Sequence, residues 1–72
     1  MTYKVGKCLL PLHRRRKRWS QIELADRIGK TKQTIHKWED NESVMNFENA
    51  LNVSKELGVS MEDLYEIIKV KE

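Results

Sequence analysis

The sequence predicts an all-α domain of five short helices, and three observations carry that reading. Two helix starts, Ser20 and Thr31, stand eleven residues apart with Gly29 near the second. Apolar residues recur at helical spacing, first through Leu24, Ala25, Ile28, Ile35 and Trp38, then through Phe47, Ala50, Leu51, Val53 and Leu57. The composition is 35% charged and 7% aromatic with one proline, which suits a helical domain and is poor for a β-sandwich. The 72 residues make one domain, 1–72, whose small core leaves its stability dependent on helix caps and oligomer contacts.

Each element has its own local signals. The first helix begins near Leu9 or Leu10, since Pro11 is tolerated in a first turn and not deeper, and runs to about Lys17. Ahead of it, residues 1–7 form either a flexible arm or a short extended segment. The second helix covers about Gln21 to Ile28. Ser20 caps it, Glu23 completes a capping box, and Trp19 closes on Leu24 as a hydrophobic staple. Gly29 ends it in the left-handed conformation that costs glycine least. Thr31 caps a third helix over about Lys32 to Asp40, and Asn41, which also accepts a left-handed backbone, stops it. After a polar loop, Asn46 caps a fourth helix that runs from Phe47 to Leu57 and stops at Gly58. Ser60 and Asp63 form another capping box, Val59 staples to Leu64, and Met61, Leu64, Ile67 and Ile68 predict a fifth helix with a frayed tail at 69–72.

Charge is distributed unevenly. Residues 1–20 carry seven Lys/Arg and no acids, residues 21–40 four of each sign, and residues 41–72 three bases against seven acids. Such a dipolar chain predicts one face for a polyanion and another turned away from it. No apolar run reaches the ~20 residues of a membrane span, and the N-terminal apolar segment is too short for a signal peptide, so a cytoplasmic protein is expected. Cys8 is alone, which excludes an internal disulfide framework and makes it a small core residue. One cysteine and two separated histidines make no coordination set, so neither metal nor cofactor is expected. No nucleophile–base pair, glycine-rich phosphate loop or set of convergent carboxylates is present, and the protein is not read as an enzyme.

Two short helices crossing over the Gly29 turn form a helix-turn-helix, whose second helix is shaped for a DNA major groove. With Ile35, Trp38 and Glu39 turned inward, the outward face of the third helix carries Lys32, Gln33, His36, Lys37 and Asp40. Gln33 suits a bidentate pair with adenine, and lysine suits guanine O6 or N7. His36 either contacts the nucleic acid or stands free in solvent. The run His13 to Arg18 holds five fixed positive charges in six residues and suits phosphate contact. His13 is read as a partly buried structural residue, and Trp19 and Trp38 as packing residues.

Three blocks in register, S-Q-x-E-L-A-x-x-I-G from Ser20, T-x-x-T-I-x-K-W-E from Thr31 and F-E-N-A-L-x-x-x-K-E-L-G-V-S-x-E-D-L from Phe47, resemble the lambda-repressor and Cro type (Xre-type) of helix-turn-helix over about Leu10 to Ile67. The resemblance implies a five-helix DNA-binding domain of a phage or bacterium, working in the cytoplasm of a bacterial host. It implies that Gln21 reaches a phosphate and braces the start of the third helix, that Ala25 lets the helices approach, and that Ile35 anchors the third helix. It places Lys32, Gln33, Thr34 and Lys37 at base edges or neighbouring phosphates, and pairs Glu39 with Arg14. Base contact is thus expected of Lys32, Gln33, Thr34, His36 and Lys37, and phosphate contact of Gln21, Thr31, Arg15, Arg16, Arg18 and Asn41. Lys30 and Asp40-Asn41 depart from the pattern, which has an apolar residue and Asn-Gly there.

The function these features imply is sequence-specific binding of a double-stranded operator by a small transcriptional regulator, a Cro-like phage or mobile-element repressor acting by occupancy. The alternative is an antitoxin or protein-binding adaptor that docks a larger repressor or toxin through its fourth and fifth helices. A homodimer on DNA is expected, because one small domain offers few contacts and a dimer engages two half-sites. Its apolar surface comes either from Tyr65, Ile67 and Val70 or from Tyr3 and Val5.

Overall fold

Seven elements follow one another along residues 2–71, the part of the chain described by the computed structural model. A strand, β1 (Thr2–Cys8), leads into four helices, α1 (Leu10–Arg16), α2 (Gln21–Ile28), α3 (Lys32–Glu39) and α4 (Phe47–Leu57). A 3-10 turn at Met61–Leu64 then opens directly into β2 (Tyr65–Val70), which pairs antiparallel with β1.

The helices start and stop where their caps dictate. Ser20 Oγ accepts from the Glu23 N–H at 3.1 Å while the Glu23 carboxylate accepts from the Ser20 N–H at 3.1 Å, closing the capping box of α2. Gly29 takes φ 69°, and the Lys30 N–H reaches back to the Ala25 carbonyl at 2.9 Å. Thr31 Oγ1 accepts from the Thr34 N–H at 3.3 Å to begin α3, and Asn46 Oδ1 accepts from the Asn49 N–H at 2.8 Å to begin α4. Asn41 holds φ 60° beyond α3, as its residue type allows.

The fifth helix does not form. Ser60 does start a turn, with Asp63 Oδ2 accepting from the Ser60 N–H at 3.2 Å, but helical geometry ends at Leu64. Tyr65 to Val70 reads Y-E-I-I-K-V, rich in residues that favour strands, and its partner lies at the other end of the chain. Residues 2–7 are accordingly strand, and residues 69 and 70 belong to the ladder where a frayed tail was expected. Tyr65 lies in the core, not on a free face. An adaptor docking through a fourth and fifth helix loses the second of those helices. On α4 the packed side is Ala50, Val53, Ser54 and Leu57, while Phe47 is 74% exposed and Leu51 sits at the margin.

The ladder pairs Val5 with Ile67 and Cys8 with Tyr65, so β1 carries one extra residue between them. The bulge displaces backbone donors, and side chains meet them. Glu66 Oε1 accepts from the Lys7 N–H at 3.1 Å, and Asn41 Oδ1 accepts from the Cys8 N–H at 3.0 Å. Gly6 makes a close approach: a Cβ there would stand 2.8 Å from Ile68 Cδ1 and 3.2 Å from Glu66 Cβ, so both neighbours would have to give way. Beyond the bulge, Leu9 donates to the Leu64 carbonyl at 2.8 Å and joins the strand to α1.

The core is formed by Leu10, Leu24, Ile35, Val53 and Leu64, closed by Trp38, Leu57 and Tyr65. Trp19 and Val59 pack against it from the staple positions. His13 is buried on α1, where an apolar residue would otherwise stand, because its Nε2–H donates to the Asp63 carbonyl at 2.7 Å. The Tyr65 hydroxyl accepts from the Met45 N–H at 3.1 Å. No polar side-chain atom is buried without a partner among the described residues.

One carboxylate ties three helices together. Glu39, at the end of α3, accepts from Arg14 Nε at 2.8 Å and Arg14 Nη2 at 3.0 Å on α1, and from Gln21 Nε2 at 3.1 Å on α2. Arg14 Nη1 also donates to the Trp19 carbonyl at 3.0 Å. The side chains of Arg14 and Glu39 are 12% and 8% exposed. The hydrogen bonds to Glu39 hold the guanidinium above its already high ordinary value, against the opposing push of burial.

Glu39→Ala, which strands Arg14 in a largely dry site, is expected to cost about 3 kcal/mol of unfolding free energy by urea denaturation. The paired change Arg14→Met with Glu39→Met should cost much less, since it leaves no unpaired charge. A second expectation concerns alkaline pH. Burial is the main force raising Cys8 above its ordinary value of 9.0 and Tyr65 above 10.0. The unfolded chain releases these protons at lower pH than the folded one, so stability falls as pH rises beyond about 9. Urea midpoints compared at about pH 8 and about pH 10 should show the fall, and Cys8→Ala should flatten it.

Candidate nucleic-acid interface

Helix α3 is short, capped at Thr31 and anchored from one side only. Ile35 and Trp38 are buried against α2 and the core, and Glu39 is held by Arg14 and Gln21. With those positions fixed, the periodicity of the helix leaves Lys32, Gln33, His36 and Lys37 exposed on its opposite face. Together with Gln21 and Glu42 they line a shallow hollow on the surface.

The remaining residues expected at a nucleic acid are placed in different ways. Thr34 is half-buried, its hydroxyl 3.1 Å from that of Thr31, so both hydroxyls serve the start of α3. The Gln21 amide nitrogen is bound to Glu39, which means that Gln21 braces the last residue of α3 and not its start. The Asn41 side-chain oxygen is taken by the Cys8 N–H of the bulge, leaving only its amide nitrogen for a phosphate. Arg15 and Arg16 lie exposed on the last turn of α1. Arg18 is exposed in the turn that follows, in a left-handed conformation (φ 61°) that costs a non-glycine residue about 1–2 kcal/mol.

Several features were not read from the sequence. Lys7 and Arg15 flank a second hollow beside Cys8, Leu9, Pro11 and Leu12, which brings β1 into the basic surface of α1. Only the strand pairing places Lys7 there. Arg27 stacks on Trp19 with its guanidinium carbon 4.0 Å from the ring centre, and Lys17 stands 6.0 Å from it. Arg27 also reaches Glu56 at 3.4 Å. His36, Asp40 and Glu42 bring one ligand atom each to within 4.8 Å of one another at the end of α3. The Cys and His content alone does not reveal this grouping, since two of its three ligand atoms are carboxylate oxygens.

The arrangement can present donors and cations to a polyanion from the exposed side of a helix anchored on its other side. No helix of the described residues is long and apolar enough to cross a membrane.

Comparison with known proteins places this geometry in a family. A helix-turn-helix family model matches residues 12–64. Among solved structures, the P22 c2 repressor in complex with synthetic operator 9T, in the presence of Tl+, is 31% identical, with a TM-score of 0.73 over 76% of this chain and 83% of that one. A hypothetical transcription factor, NHTF, from Neisseria is 28% identical, with a TM-score of 0.72 over 79% of this chain and 66% of that one. Cobalt(II) HppE in complex with substrate is 25% identical with a TM-score of 0.74; 81% of this chain is covered but only 33% of HppE. No curated protein sequence matches. With three quarters of its length matched to a repressor and the family pattern spanning α1 to the 3-10 turn, this chain belongs to the lambda-repressor and Cro-like (Xre-type) helix-turn-helix family.

Proposed function

We propose that the protein is a sequence-specific double-stranded DNA-binding transcriptional regulator, a Cro-like repressor of a phage or mobile element that acts by occupying its operator. The observation that carries this reading is the exposed row Lys32, Gln33, His36 and Lys37 on a helix whose other side is locked by Ile35, Trp38 and Glu39. A helix held that rigidly can enter a major groove without ordering its side chains' platform on binding. The operator complex of the P22 c2 repressor supports the same reading. Gln33 and the lysines read base edges, while Arg15, Arg16 and Arg18 position the protein on phosphates.

A homodimer on DNA completes the reading. Both apolar sets expected from the sequence fall on the ribbon, but Tyr65 is buried and Val70, opposite Thr2, lies on the other face from Ile67. Tyr3 and Val5 on β1 and Ile67 on β2 share a face, with Val5 opposite Ile67, and they are 66%, 48% and 50% exposed. A two-stranded ribbon is marginal by itself, so covering this face with the same face of a second copy stabilises both.

Measured by fluorescence anisotropy on an operator selected from random oligonucleotides, Gln33→Ala should cost about 1–3 kcal/mol and relax preference at one base pair. Arg16→Ala should weaken all sequences alike and lower the slope of log affinity against log salt by about one. Equal loss on every sequence for both variants would remove α3 from base readout. For the ribbon, sedimentation equilibrium on the operator should show two 8.6 kDa chains per duplex, and Val5→Glu should reduce this to one. Two chains per duplex for Val5→Glu would place the dimer contact elsewhere.

A further inference from the structure

The geometry points to a divalent transition-metal site of the zinc type formed by His36, Asp40 and Glu42, where a bound ion tightens the grip of α3 on DNA. The effect on DNA rests on the function proposed above; the site itself rests on the side chains alone. His36 stands in the last turn of α3 and Asp40, four residues on, is the residue that caps its end, so the two lie on one side, about a turn apart. Asn41 then turns the chain through its left-handed conformation, and the Glu42 N–H returns to the Lys37 carbonyl at 2.9 Å. That turn brings the Glu42 carboxylate back beside the other two, with all three ligand atoms within 4.8 Å of one another.

The electrostatics call for a cation there. Asp40 and Glu42 stand at the negative end of the α3 dipole, where a carboxylate is disfavoured. Neither is in an ion pair among the described residues, in contrast to Glu39 and Glu56. Both also adjoin the face offered to DNA, and Glu42 lines the same hollow as Lys32, Gln33 and Lys37. Two unpaired negative charges beside a phosphate-binding surface oppose helix and ligand alike. A bound divalent ion removes both penalties and gives the hollow one sign.

An imidazole with two carboxylates suits a borderline ion such as Zn2+ better than Mg2+ or Ca2+, which take oxygen ligands. Tetrahedral zinc sets its ligands about 3.4 Å apart, given metal–ligand distances of about 2.1 Å. The three exposed side chains close that gap by rotation. Three protein ligands leave a coordination position for water or for a phosphate oxygen.

The test titrates ZnCl2 into the full chain by isothermal calorimetry and then repeats operator binding with zinc or EDTA. Wild type should bind one zinc per chain with micromolar affinity, and Asp40→Asn and Glu42→Gln should each weaken it at least tenfold while the circular dichroism spectrum is unchanged. Absence of zinc binding, or binding that both variants retain, overturns the site. Zinc should raise wild-type operator affinity at least tenfold and leave that of the Asp40→Asn, Glu42→Gln double variant unmoved. Zinc binding with no change in operator affinity overturns the regulatory effect and leaves the site standing. Failure to bind DNA under either condition sinks the proposed function instead, and the calorimetry still decides the metal site.

Discussion

The Glu39 carboxylate is the constraint on which the arrangement of helices depends. It sits at the end of α3 and accepts three hydrogen bonds, two from Arg14 on α1 and one from Gln21 on α2. Each of those helices is eight residues or shorter, too short to be stable alone in water. Apolar packing holds them together without specifying direction, because Leu24, Ile35 and Trp38 make non-directional contacts. The bidentate guanidinium pair adds direction, fixing the rotation of α3 about its own axis. That rotation decides which residues face outward, and so which are offered to a ligand.

The second device is the bulged ribbon that joins the chain ends. Its register leaves two amides of β1 without ladder partners, and Glu66 and Asn41 supply them. Asn41 therefore links the sheet to the end of α3, with its backbone as the helix stop and its side chain as the bulge acceptor. The ribbon and the helix-turn-helix are in this way parts of one unit. The outer residues of the two strands, Thr2 to Val5 and Glu66 to Lys69, are exposed.

Charge follows the same division of labour. The basic residues Lys7 of β1 and Arg15 of α1 meet around one hollow, and Lys32 and Lys37 of α3 line another. Arg14 and Arg27, embedded in the same basic half of the chain, are occupied internally by Glu39, Trp19 and Glu56. Formal charge counts thus overstate the cations left without an internal partner, because Arg14 and Arg27 are already engaged while Arg15, Arg16, Arg18, Lys32 and Lys37 stand exposed.

Local chemistry determined α2 to α4 from the sequence by itself, while α1 has no side-chain cap and only Pro11 to mark its start. Ser20 with Glu23, Gly29, Thr31, Asn46 and Gly58 act within a turn of their own backbone, so their effect needs no distant partner. The outward positions of Lys32, Gln33, His36 and Lys37 likewise follow from the apolar spacing of Ile35 and Trp38. Tertiary structure alone decided the chain ends. Leu64, Ile67 and Ile68 fit helical spacing, and Tyr65 to Val70 fits a strand equally well; pairing with Thr2 to Cys8 selects the strand. The partners of His13 and Asn41 were hidden for the same reason, since a hydrogen bond between residues far apart in sequence leaves no periodic trace in either segment.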